Sequence, residues 1–378
     1  MEGEEARAVR APLRRSRVRE WDVLRSMAFA AVVLQHLLGA CAQRSGLGPA
    51  GQAFCAAAFE PLRFAVPMFV FLFGCSLFYA NPQGVRYGAY LKKRLFELAL
   101  PYAVWTVIYM RFMERPIGPR ALLRSLLLGE GGYHLWYVVM ILQFVVLTPV
   151  FFWVKKQAGA HPVAAMAVLL LLWLLYLGVT PHWDGGGLAG AVFYRHRSLV
   201  FLSWIGFFAL GVLCGACRER FSHWTKRLFP LTGLIYGGSV VWAAYWSVRG
   251  AVEQGAVNFS RVGFLNPDYA LFTLCGLLFW YECARRLAGW DGFARLCAFV
   301  GAHSYEAYLA HVLILTKASM FLDAHWSGMQ LPRFYIILTA AALLGSVLLG
   351  WLIDSAVKAL RAQWKRRGKD ETNLPRGL

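Results

Sequence analysis

Residues Glu20–Ala40, EWDVLRSMAFAAVVLQHLLGA, decide the fold. From Val23 to Ala42 the chain is apolar enough for a membrane-spanning helix, which needs about 20 such residues. Asp22 and Arg25 nevertheless stand at its start, and His36 lies deep inside it. Ionisable side chains within a span are costly and point to a functional site rather than to packing. Arg25 and His36 are eleven residues apart. At 3.6 residues per turn they share one helix face, separated by roughly 16 Å along the axis. Asp22 lies one turn before Arg25 on the same side. One stripe thus carries an ion pair at one membrane surface and an imidazole towards the other.

The composition extends this to the whole chain. Its residues are 58% hydrophobic, 15% aromatic and only 16% charged, with a mean hydropathy of +0.49. A soluble domain carries about 25% charged residues. The expected fold is therefore all-α, a polytopic integral membrane protein built as a bundle of about ten transmembrane helices. The net charge of +19 is no sign of nucleic-acid binding, because the basic residues fall in short runs between apolar segments, where membrane topology explains them. Residues 1–19 form a basic leader with six arginines and three glutamates, expected to be disordered, and without a small-residue cleavage site. Residues 20–357 form the transmembrane domain, and 358–378 a polar, basic tail. The spans are expected near 22–42, 59–80, 95–113, 134–154, 162–180, 198–217, 228–247, 268–288, 297–320 and 333–357.

Orientation follows from Lys and Arg, which favour the cytoplasmic side. With a cytoplasmic start, 26 of the 39 fall inside and 12 outside, Arg25 being within the first span. Both termini are therefore expected in the cytoplasm, although the outer loop from Arg111 to Arg124 runs against the bias with four arginines. This orientation puts Arg25 at the cytoplasmic mouth and His36 in the outer half. His134, in YHLWYVV, then lies at the outer end of the fourth span, and His311, in SYEAYLAH, in the outer half of the ninth. Near Arg25 on the inner side are Lys92, Lys93 and Arg94 of YLKKR, and Arg285 and Arg286. Simpler roles fit several of these. His134 beside Trp136 and Tyr137 would suit an interfacial aromatic belt. Lys92 to Arg94 resemble any cytoplasmic loop, and His311 would serve to hydrogen-bond a neighbouring helix. Cys214 and Cys217 form a CxxC with no second pair, weak evidence for metal. Cys41 and Cys55 flank the first outer loop, at positions where a disulfide could form.

The first span resembles that of the transmembrane acyltransferase family 3, whose opening helix carries an Arg, ten residues, then a His, as at Arg25 and His36, with an acidic residue before the Arg, as at Asp22. Further segments follow in the family's order: FAVPMFVFLFGCSLFY, YLKKRLFELALPYAVW, HLWYVVMILQFVVLTPVF, FFALGVLCG and SYEAYLAHVLIL. The resemblance covers about residues 20–355. Two features depart from it. The third-span entry reads Lys-Lys-Arg-Leu-Phe-Glu where many members place a second Arg three residues after the first, and the extracellular esterase-like domain that some relatives carry is not expected here. The compact form is most similar to the bacterial surface-polysaccharide (exopolysaccharide) O-acetyltransferases.

The resemblance implies an enzyme of the bacterial inner membrane that moves an acyl group, usually acetyl, from cytoplasmic acetyl-CoA to a hydroxyl of a cell-envelope glycan. No permanently bound cofactor and no metal are expected; acyl-CoA is a substrate. Arg25, Lys92, Lys93 and Arg94 would meet the CoA phosphates. Neutral His36 would take the hydroxyl proton as general base, or carry the acyl group as nucleophile. Asp22 would orient Arg25. His134, Trp136, Tyr308 and His311 would position the acceptor or stabilise the oxyanion. A transporter or flippase for a lipid-linked glycan or small solute is the alternative, since charged and histidine residues inside spans also mark transport pathways. A cationic inner mouth paired with an outer histidine on one helix face favours the enzyme.

Overall fold

The computed structural model describes residues 16–44, 47–159, 161–182, 187–190, 196–259, 263, 265–326 and 329–372. Among these there is no strand, and the chain is an all-α membrane protein. Its helices are α1 (Arg19–Ala42), α2 (Pro49–Phe59), α3 (Ala65–Ala80), α4 (Tyr87–Arg94), α5 (Leu100–Phe112), α6 (Pro119–Leu128), α7 (Trp136–Val146), α8 (Thr148–Ala158), α9 (Pro162–Val179), a single turn α10 (Gly187–Gly190), α11 (Ile205–Ala216), α12 (Arg218–Gln254), α13 (Pro267–Leu287), α14 (Asp291–His325) and α15 (Leu331–Thr372). Most of the leader, residues 1–15, and the end of the tail, 373–378, lie outside the described residues.

Seven helical stretches among the described residues are long and apolar enough to cross a membrane, or eight if the bent pair α7–α8 is one span. The expected spans at 198–217 and 268–288 correspond to α11, which is short, and α13, which is less apolar and carries Asp268, Glu282, Arg285 and Arg286. Helices also outrun the apolar cores. The second stretch runs from Pro49 to Ala80, interrupted by a 3-10 turn, Glu60–Leu62, and a turn at Arg63 and Phe64. Hydropathy marks the hydrocarbon depth of a helix, whereas its backbone hydrogen bonds continue into the polar flanks.

Prolines account for two irregularities. α4 passes into α5 through a π-helical turn, Leu95–Ala99, just before Pro101. The wider turn relieves the clash of the proline ring with the Glu97 carbonyl one turn back. α7 and α8 are bent by 54° at Leu147, ahead of Pro149, for the same reason.

α1 is the central element, packed against α2, α3, α13, α14 and α15. Val23, Leu24, Ala28, Phe29, Val32 and Val33 bury its sides. Ser26 Oγ lies 2.9 Å from both the Asp22 carbonyl and the Cys297 carbonyl, and so ties α1 to α14. α3 and α11 meet through Gly74 on one helix and Gly211 and Gly215 on the other, with no side chain between the backbones. This small-residue contact is the close packing that membrane helices use where burial from water cannot drive association. Val168, Leu171, Leu172 and Leu175 of α9 and Ile336, Leu344 and Leu348 of α15 stay exposed, as a lipid-facing surface requires.

Candidate active site

Three histidines remote in sequence meet inside the bundle. His36 on α1 is half-buried, and its ring centroid lies 5.1 Å from that of His311 on α14. His134 lies 4.9 Å from His311 and 6.3 Å from His36. It belongs not to a helix but to the turn between α6 and α7, which begins at Gly129 with φ 68°. A side chain at Gly129 would strike the Trp136 backbone, so glycine lets this turn fold inward. His134 is consequently buried, not part of an aromatic belt at the membrane surface.

Hydrogen bonds fix two of the imidazoles. His311 Nδ1 contacts the Tyr308 carbonyl, which can only accept, so the ring proton sits on Nδ1. Nε2 is left with a bare lone pair, buried and without a hydrogen-bond partner among the described residues. His134 Nε2 lies 3.4 Å from the Leu309 carbonyl, which leaves its Nδ1 in the same condition. Both nitrogens are therefore acceptors, suited to an O–H or N–H donor. Among the described residues His36 makes ring contacts only, the further one to Tyr133 at 4.9 Å.

Tyrosines hold this cluster. The Tyr308 hydroxyl donates to the His134 carbonyl. The Tyr109 hydroxyl donates to the Leu309 carbonyl at 2.8 Å and accepts from the Leu313 amide at 3.0 Å. These two groups would pair with each other in an undisturbed helix, so a side chain from α5 is inserted into the α14 ladder beside His311. Tyr109 and Tyr133 escaped the sequence reading; their only signal was a hydroxyl inside an apolar span or next to a histidine.

At the N-terminal end of α1, Arg25 and Arg94 line one cavity of about 240 Å³, with Ser76, Tyr137, Ser304 and Tyr308 among its other walls. No carboxylate lines it. Arg94 Nη1 donates to Glu97 at 3.1 Å, while its Nε is buried without a partner among the described residues. Tyr308 also lines it, its ring 5.5 Å from those of both His134 and His311. The cavity thus holds two guanidinium groups and shares its Tyr308 wall with the histidine cluster, although none of the three histidines lines it.

The remaining expected site residues are elsewhere. Lys92 and Lys93 are exposed and do not line the cavity; Lys93 Nζ lies 3.7 Å from Glu97. Trp136 stacks on Trp204 at 5.5 Å, away from the histidines. Arg285 and Arg286 both pair with Glu282. Asp22 is 3.4 Å from Arg25, but its nearer partner is Arg17, at 2.5 Å and 3.1 Å. Cys41 and Cys55 carry free thiols, as do Cys214 and Cys217. Among the described residues no group of His, Cys, Asp and Glu is arranged to hold a metal ion.

Neither a curated protein nor a solved structure matches this chain. One family model does, described as an acyltransferase domain, and it covers residues 18–351, a span that contains α1, the histidine cluster and the arginine-lined cavity. The chain therefore belongs to acyltransferase family 3 and is a membrane acyltransferase.

Proposed function

We propose that this acyltransferase is an O-acetyltransferase of the bacterial inner membrane, with both termini in the cytoplasm, that takes acetyl from cytoplasmic acetyl-CoA and passes it to a hydroxyl of a surface or secreted polysaccharide. The observation that carries the proposal is the continuity between a two-arginine cavity and a three-histidine cluster. Arg25 and Arg94 offer charge-assisted, forked contacts to the CoA phosphates. The pantetheine arm runs from them along the cavity towards Tyr308, over a depth near the roughly 16 Å that separates Arg25 from His36.

At the far end the sugar hydroxyl attacks the thioester carbonyl as His36 takes its proton. The new C–O bond forms, the C–S bond breaks, and the proton passes to the departing CoA thiolate, so His36 ends neutral. His36 suits this role because it is only partly buried and tied to no hydrogen-bond partner among the described residues. His311 and His134 suit acceptor positioning better than oxyanion stabilisation, since their free nitrogens carry lone pairs that accept from O–H groups and cannot donate.

The test is His36→Ala in inside-out vesicles supplied with radiolabelled acetyl-CoA, following label into the polysaccharide fraction. The variant should insert and fold like the parent, because it removes a polar ring with no hydrogen bonds. Transfer should fall by about 100- to 10,000-fold, the usual contribution of a general base. Label trapped on the parent protein but not on the variant would make His36 the nucleophile. Undiminished transfer by the variant would sink both roles.

A further inference from the structure

Arg25 is the cavity-lining cation closest to a buried carboxylate, and this creates a conflict. A guanidinium beside a buried Asp is expected to form a forked pair with it and so be lost to any ligand. Here it does not. Arg25 makes one long contact, Nη1 to Asp22 Oδ1 at 3.4 Å, and no other hydrogen bond among the described residues. The carboxylate is instead occupied by Arg17, Nε to Oδ2 at 2.5 Å and Nη2 to Oδ1 at 3.1 Å. The Asp22 side chain is 5% exposed, Arg25 28% and Arg17 55%. Arg17 also donates from Nη2 to the Ala298 carbonyl of α14 at 2.7 Å, which fixes it in place.

We infer that Arg17 is a positioning residue of the donor site: by neutralising Asp22 it keeps Arg25 free for the phosphates of the acyl donor. This rests on the acyl-CoA function proposed above. Arg17 is contributed by the segment before α1 and precedes the residues, 18–351, matched by the family model. Without it, Asp22 becomes a buried carboxylate with one cation in reach, and Arg25 swings from the cavity to pair with it. Such a carboxylate is costly to leave uncompensated, so the swing is favoured over an empty pair. Arg25 then stays in the protein, with its charge spent.

The experiment measures acetyl-CoA affinity of the purified, detergent-solubilised full chain in a double-mutant cycle: parent, Arg17→Ala, Asp22→Asn, and both together. Arg17→Ala should bind about tenfold more weakly, the loss of one hydrogen bond to a charged group. In the Asp22→Asn background the same substitution should change affinity less than twofold, because no carboxylate remains to capture Arg25. Arg17→Lys, a point charge without the fork, should fall between parent and Arg17→Ala. A loss in Arg17→Ala that persists in the double variant would overturn the inference, since that is the result expected if Arg17 only staples the chain to α14. Equal affinities for parent and Arg17→Ala would overturn it too. A parent that does not bind acetyl-CoA would instead overturn the donor assignment itself, and this inference with it.

Discussion

Replacing Gly211 by Ala tests the packing that forms the cavity wall. An added Cβ would lie 2.9 Å from the Phe71 carbonyl carbon and 3.1 Å from the Cys75 amide nitrogen, and closer still to the Phe71 oxygen. All three obstacles are backbone atoms of α3, which cannot rotate away as a side chain would. Carbon–carbon contacts relax at about 3.5–4.0 Å, so α3 and α11 must part by roughly 1 Å. Overpacking of this kind costs about 1–3 kcal/mol. Gly→Ala in a helix returns about 1 kcal/mol, which leaves an expected net loss of about 0–2 kcal/mol. α3 also carries Phe69, Leu72, Phe73 and Ser76 to the cavity, so acetyl-CoA affinity should fall as well. The assay is reversible unfolding in mixed detergent micelles, beside Gly237→Ala on α12 as control. Nothing lies within 4 Å of a Cβ at Gly237, so that variant should match or slightly exceed the parent. If Gly211→Ala proved as stable as Gly237→Ala, the close α3–α11 contact would be refuted.

Two further outcomes are expected. Arg94→Ala should weaken acetyl-CoA binding by about tenfold, whereas Lys92→Ala and Lys93→Ala should leave it within twofold; isothermal titration separates them, and a larger loss from either lysine would move the donor site out of the cavity. Arg63→Ala should cost about 3–5 kcal/mol in the unfolding assay, because it strips the buried Glu60 carboxylate of a partner held at 2.5 Å and 2.9 Å; replacing both residues together, by Leu at Glu60 and Met at Arg63, should recover most of it, and a single variant within 1 kcal/mol of the parent would contradict the buried pair.

What the sequence determined by itself is what lies within one helix. Apolar runs near 20 residues define spans because each satisfies its own backbone hydrogen bonds whatever its neighbours do. Arg25 and His36 fall on one face for the same local reason, the 3.6-residue period of α1. That period also sets Lys92, Lys93 and Arg94 about 100° apart around their helix. It does not say which of the three faces inward, since that depends on how α4 and α5 are turned against the rest of the bundle. Packing chose Arg94. The meeting of His36, His134 and His311 likewise joins segments about 100 and 275 residues apart, and needs α1 packed on α14 and the Gly129 turn folded beneath α5. The sequence reading paired Asp22 with Arg25, one turn away, but Arg17 is also within reach along the chain and is the nearer partner in the structure. α14 settled it, offering the Ala298 carbonyl as a third contact to Arg17 and leaving Arg25 turned towards the cavity.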